Sequence, residues 1–378
     1  MHSATRILIV GATARAAAGS ARRAGFEVDA SDLFGDLDLR SAARDETDAY
    51  RAALRGLVVP RPDRPVLYTG SLESEPVALR ALESGGTLLG NPADVVGPVR
   101  DPIRLARALR DADLPTPDVT LDIESLPADG TWLLKHPCSS GGLAVFPYVS
   151  RPLGAGFYAQ RRVDGRRRSA LYLGDARGVA LIGLAAVWSG AAGRPYAYRG
   201  GLAPLPIAPR LRAILERLGR ALHEVFGLRG LFGVDLIVRD GVPWVLEVNP
   251  RYTASVELYE HATGRALLAE HARAFGVEPP PGPPAPREPR PACVGKLIVY
   301  TREALRWSGP AALRSMSDPW RLPRHADIPA TPGMPFHPND PVLTLLEAGD
   351  GPAVVARRLR RRMLRWRRRL AALAQAFT

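Results

Sequence analysis

The chain has 378 residues, enough for two or three domains with cores of their own, and its 46% hydrophobic content is that of a globular protein. No apolar run approaches the length of a membrane span, no signal peptide opens the chain, and Cys138 and Cys293 offer no disulfide framework or zinc spacing, so a soluble cytoplasmic protein is expected. Of the net charge of +13, residues 351–378 hold +9 (nine Arg, no acid), which leaves +4 for the rest and argues against a chain that binds nucleic acid over its whole surface.

Arg6–Gly11 reads as a buried strand, Ala12–Ala24 as an Ala-rich helix with Arg outside, and Phe26–Val28 as a second strand. This opening predicts a mostly parallel sheet. Gly11-Ala12-Thr13-Ala14-Arg15 supplies one Gly where a dinucleotide fingerprint needs three, so NAD binding is not indicated. Val66–Glu73 is a further strand and turn, with Glu73 at the carboxyl edge where ligands dock in open α/β sheets, or in a solvated turn. A helix over Ile103–Asp113 is closed by Pro115 and Pro117.

Trp132–Lys135 reads as a strand, followed by the loop Ser139-Ser140-Gly141-Gly142, whose successive N–H groups can form an anion nest beside the ammonium of Lys135. The chain has two lysines, Lys135 and Lys296, against forty-nine arginines. Where nearly every interchangeable cation is Arg, a remaining Lys marks a place that needs a compact ammonium. Ala170–Leu173 and Val179–Trp188 read as strands, Tyr196–Gly201 as a polar aromatic loop, and Pro209–Phe226 as a helix.

Gly230–Arg251 reads as two apolar strands around Asp240-Gly241, a hairpin signal. Glu247 and Asn249 point to one face. Asp235 joins them opposite Glu247 if the loop holds three residues. Two carboxylates and an amide oxygen suit magnesium, which keeps positions open for phosphate oxygens. The planar fork of Arg251 suits a carboxylate or a phosphate. Thr253–Glu278 is mostly helix, with Glu257 and Glu260 one turn apart. Beyond the stiff proline-rich linker, Val294–Tyr300, Asp327–Pro329 and Pro341–Gly349 read as β structure. Arg357–Leu370 is a helix with the apolar stripe Leu359, Met363, Trp366 and Leu370, which favours docking on the body over a solvated arm.

Glu247-Val248-Asn249-Pro250 resembles the strand end that holds magnesium in the ATP-grasp superfamily, and the continuation Arg251–Glu257 is similar to its biotin carboxylase and carbamoyl phosphate synthetase branch. The resemblance implies an α/β chain: a small Rossmann-like domain over 1–95, an ATP-grasp lid and core over 96–278, a linker over 279–291 and a β-rich region ending in a basic helix over 292–378. It implies ATP as nucleotide and Mg2+ as metal, with Mn2+ as a substitute, on Asp235, Glu247 and Asn249. Lys135 with Ser139, Ser140, Gly141 and Gly142 stands where the lid closes over phosphates. Gln160, Arg161, Arg162 and Val163 stand where the hinge meets adenine, with Asp164 in place of the usual ribose acid. Arg251 stands where the branch holds the activated acid, and Glu257 where it places a base. The family often sets a Lys before the helix at 103, where this chain offers Arg100 and Arg104.

The expected chemistry is an ATP-dependent ligase that activates a carboxylate as an acylphosphate for attack by an amine or thiol. The nearest resemblance is to predicted carboligases of pterin-dependent one-carbon metabolism, which implies addition of an amino acid to a pterin- or methanofuran-like precursor. Its expected partners are a small acid and a small amine, with a homodimer as a compatible assembly. The alternatives are a bicarbonate-using carboxylase and, from another class, a nucleic-acid or membrane binder acting through the Arg tail.

Overall fold

The unbroken Ile-Leu-Ile-Val run of Arg6–Gly11 forms a strand buried along most of its length, as expected for the centre of a parallel sheet. In this computed structural model, which describes residues 6–40, 44–45, 64–149, 156–191, 194–286, 289–309 and 318–375, that strand lies between Glu27–Asp32 and Val66–Tyr68, with Arg44–Asp45 at the far edge, all parallel. Residues 287–288 of the linker and 376–378 of the tail lie outside the described residues. The helix Arg15–Arg23 lays Ala17, Ala18 and Ala21 on the core.

The region expected to be the lid holds a four-stranded antiparallel sheet in the order Val119–Thr120, Tyr158–Arg161, Trp132–Lys135, Val145–Pro147. The helix before it, Pro102–Asp111, is capped by Asp101, whose carboxylate accepts from the N–H groups of Ile103 and Arg104.

An eight-stranded sheet forms the core, in the order Val242–Asn249, Gly230–Arg239, Arg166–Asp175, Gly178–Ala191, Arg194–Leu205, Cys293–Tyr300, Pro341–Gly349, His325–Ala326. The strands beyond the proline-rich linker thus continue the sheet that carries the hairpin. The helix Pro209–Phe226 packs Leu211, Leu215, Leu218 and Leu222 over Tyr172 and Phe232, whose rings stack at 5.1 Å. Gly219 permits that approach, since a Cβ there would stand 2.6 Å from the Tyr172 ring.

Four expectations change. The β structure expected at Asp327–Pro329 lies just before it, at His325–Ala326, and Asp327 takes a left-handed φ of +53°. Tyr196–Gly201 is not a loop but lies within the strand Arg194–Leu205, paired on both sides; the Tyr-Ala-Tyr alternation is strand-like, and register shifts in the pairing absorb the irregularity. The helix expected over Thr253–Glu278 is two, Val256–Thr263 and Leu267–Ala274, because Gly264 ends the first in a left-handed cap at φ +74°. The C-terminal helix is longer than its apolar stripe suggested, Pro352–Gln375, and it docks: Leu359, Met363, Trp366 and Leu370 are buried against Val299, Leu343 and Leu345. Among the described residues no helix is long and apolar enough to cross a membrane.

Candidate functional site

The hairpin turns on two residues, not three. Arg239 pairs with Val242, and Asp240 and Gly241 take left-handed φ of +53° and +76°. With that turn alone the partner of Asp235 would be Leu246, and Glu247 and Asn249 would point to the other face. A bulge corrects it: Leu236 pairs with Val245, Asp235 with Glu247, and Leu246 is the extra residue. The Gln160 amide then donates to the Leu246 carbonyl at 3.1 Å, which gives the bulged peptide a partner.

Asp235, Glu247 and Asn249 therefore share one face, as expected, for a different local reason. Asn249 donates to Asp235 Oδ2 at 3.2 Å, while its Oδ1 accepts from Arg251 at 3.3 Å. Burial, and then the charge of Glu247, push the Asp235 carboxyl up to about 6. Burial would also raise Glu247, but Lys135 and Arg100 outweigh it and hold the group below its ordinary value. Among the described residues no three Cys, His, Asp or Glu side chains form a metal cluster; this set is two carboxylates and an amide. Two paired carboxylates, one held up by the charge of the other, are a donor set that a hard dication relieves.

Lys135 stands over this face. Its Nζ lies 3.6 Å from Glu247 Oε2 and donates to Gln160 Oε1 at 3.3 Å, with the Tyr158 ring 5.9 Å away. Burial opposes its charge, yet Tyr158 and Glu247 raise its pKa overall. The other lysine, Lys296, lies 3.4 Å from Glu257. Both are buried, and both face a carboxylate.

Of the two cations before the lid, Arg104 is exposed and Arg100 faces inward. Arg100 donates to Ser74 Oγ and the Pro137 carbonyl, and it lines a pocket with Lys135, Ser139, Gly142, Tyr158 and Glu247. Ser139 Oγ accepts from the Ala144 N–H, Ser140 O from Leu143 N–H, and Gly141 O from Tyr198 N–H at 2.8 Å. The Ser-Ser-Gly-Gly loop thus rests on the strand Arg194–Leu205. Gly142, at φ +72°, lies so close that a Cβ would stand 2.1 Å from the Tyr196 carbonyl.

The hinge is less open than expected. The N–H groups of Arg161 and Arg162 already donate to Asp118 and Thr131 at 2.8 Å, because lid-sheet pairing continues to that point. Gln160 is buried between Lys135 and Leu246, so its side chain holds the lid to the hairpin. Asp164 is exposed and pairs with Arg162 in its own turn, at 3.0 Å.

Two predicted site residues meet partners that no local pattern foretells. Arg251 faces Glu73 at 2.6 Å, and Glu73 also faces Arg100 at 3.7 Å. Glu73 is 4% exposed, so it is no solvated turn acid. Glu257 accepts from both terminal guanidinium nitrogens of Arg15 and, with Lys296 beside it, is 1% exposed. Burial works against its charge, but Arg15 and Lys296 hold the carboxyl far below its ordinary range. A carboxylate held so low and so enclosed is a poor base, which speaks against the role expected of Glu257. Its neighbour Glu260 pairs with Arg23 at 2.6 Å, so two buried ion pairs fasten the first helix to Val256–Thr263.

Residues 99–255 match the ATP-grasp domain family. The carbamoyl phosphate synthase large chain of Pasteurella multocida is 35% identical over 77 residues, which span 20% of this chain and only 7% of that protein. The biotin carboxylase domain of 2-oxoglutarate carboxylase from Hydrogenobacter thermophilus superposes with a TM-score of 0.71 at 14% identity, covering 95% of this chain and 89% of that one. Phosphoribosylamine–glycine ligase from Thermotoga maritima does so at 0.62 and 15%, covering 94% and 95%. At such identities the likeness is one of fold.

Proposed function

We propose, from the premise that residues 99–255 of this chain form an ATP-grasp domain, that the protein is a ligase that spends ATP to join a carboxylate to an amine through an acylphosphate. The observation that supports this best is the bulged register that sets Asp235 opposite Glu247 under Lys135. Magnesium, or manganese in its place, would neutralise charge on the transferring phosphoryl group. Asp235 and Glu247 would hold it, joined by Asn249 once its amide turns its oxygen inward. Lys135 and Arg100 line the same pocket and offer cations to the phosphates. The Ser139–Gly142 loop covers them. At the hinge, the engaged N–H groups of Arg161 and Arg162 leave the Arg161 carbonyl and Val163 for the base. Arg251, held by Glu73, offers its fork to the acid as charge develops on it. Glu257 orders Arg15 and Lys296 rather than moving a proton.

A second reading, a carboxylase that activates bicarbonate, is favoured by the likeness to a biotin carboxylase domain whose structure holds MgADP and bicarbonate. That structure is a domain dimer, and a homodimer is part of both readings. The finer assignment, an amino acid added to a pterin- or methanofuran-like precursor, rests on association with the predicted carboligase group alone. The deciding experiment incubates the protein with ATP, magnesium and candidate acid–amine pairs, with bicarbonate as a separate arm, and records ADP against AMP. ADP formation that requires both an acid and an amine supports the ligase. ADP with bicarbonate alone favours the carboxylase, and AMP excludes the acylphosphate.

A further inference from the structure

Docking of the C-terminal helix accounts for its apolar stripe and leaves its arginines unexplained. Arg362, Arg365, Trp366 and Arg369 recur at three- and four-residue spacing, so they share one face of the helix. Arg324 and His325 approach that face from the edge of the core sheet. These six residues line a concave pocket, and no carboxylate is among them.

Arg362 is buried and both its terminal nitrogens are engaged. It donates to the carbonyls of Leu346 and Arg324 at 2.6 Å each and to Glu347 at 2.9 Å, which uses the nearby acid. Trp366 Nε1 and Arg362 Nη2 both approach His325 Nε2, at 3.3 and 3.1 Å. A nitrogen that accepts from two donors carries no proton, so the imidazole is neutral. Burial, then Arg362, Arg324 and Arg369, hold His325 down to about 4, as an unbalanced positive field requires. Arg324, Arg365 and Arg369 form no ion pair with any acid among the described residues.

We propose that this pocket is a binding site for a small phosphoryl-bearing anion, separate from the candidate active site. Three planar forks converging without a countercharge suit the several oxygens of a phosphate. The pocket shares no lining residue with the one over the hairpin. A single-stranded nucleic acid fits less well, because it needs exposed aromatic faces for its bases. Trp366 is 6% exposed, stacked on Trp307 and covered by Arg369.

The test is calorimetric titration of the full chain with inorganic pyrophosphate, without metal, at fixed salt. The wild type should bind. Arg365→Ala with Arg369→Ala should weaken binding about a hundredfold, at about tenfold for each guanidinium removed. Both side chains are exposed, so that variant should keep its melting temperature and its ATP turnover. Arg365→Lys should lose less affinity than Arg365→Ala, since it keeps the charge but not the fork. No binding to the wild type, or full affinity in the double variant, would overturn the assignment. So would a single-stranded oligonucleotide that binds more tightly than pyrophosphate and gains affinity with length.

Discussion

Asp36→Asn should stabilise this protein, by an amount that depends on pH. Asp36 follows the strand Glu27–Asp32 and is 6% exposed, and its Oδ2 has no hydrogen-bond partner. Burial first, then Asp327, Asp38 and Asp32, push its carboxyl up to about 9. Its folded pKa is therefore above its unfolded one, so at neutral pH the native protein takes up a proton that the unfolded chain lacks. The stability this group contributes is full below about pH 4 and is lost as pH rises towards 9. At pH 7 the loss is up to roughly 4 kcal/mol, at 1.36 kcal/mol per pH unit above the unfolded value. The variant should gain at least about 1 kcal/mol at pH 7. Asn has nearly the shape of the neutral acid and takes up no proton. Urea unfolding of both proteins at pH 5, 6, 7 and 8 should show an advantage for the variant that widens with pH. An advantage that is flat across the series, or a variant less stable at every pH, would refute the assignment of a buried, protonated Asp36.

Glu247→Gln should lower ATP turnover by about a hundredfold or more while the circular dichroism spectrum is unchanged, since shape is kept and ligand charge is lost; wild-type turnover at saturating magnesium would remove Glu247 from the metal set. Lys135→Arg should also cost about a hundredfold, because a fork does not replace a point ammonium between Glu247 and Gln160. An unchanged KM and rate for ATP would show that the scarcity of lysine carries no information there. Arg251→Ala should raise the acid requirement about tenfold or more and the ATP requirement less. Since it strands Glu73, it is best paired with Glu73→Gln, and equal losses for both substrates would move Arg251 to the phosphates. Deleting residues 357–378 exposes the faces that cover Leu359, Met363, Trp366 and Leu370, at about 2–5 kcal/mol each, so the protein should lose solubility or its melting transition. A gel-shift series across salt should show no nucleic-acid affinity lost with the tail; a strong salt-sensitive shift in the full chain alone would reverse that reading.

The hairpin and its polar face are legible in the amino-acid sequence because turn chemistry and two-residue alternation are local. Asp240-Gly241 marks the turn, and Glu247-x-Asn249 sets one face. Lys135 beside a Gly/Ser loop and the apolar stripe of the C-terminal helix are legible for the same reason: each is a periodicity within a few turns of chain. The register of Asp235 is not. It depends on a bulge at Leu246, and the carbonyl left there is met by Gln160, 86 residues earlier in the chain. The fates of the charged residues are decided at still longer range. Glu257 has the spacing of a base, yet Arg15, 242 residues away, encloses it. Arg251 and Glu73 meet only when the first sheet sits on the core. A charge written in sequence has a type and a place on its own element. Whether it is solvated, paired or free for a ligand depends on burial and on countercharges from other elements, and those exist only once the layers have packed.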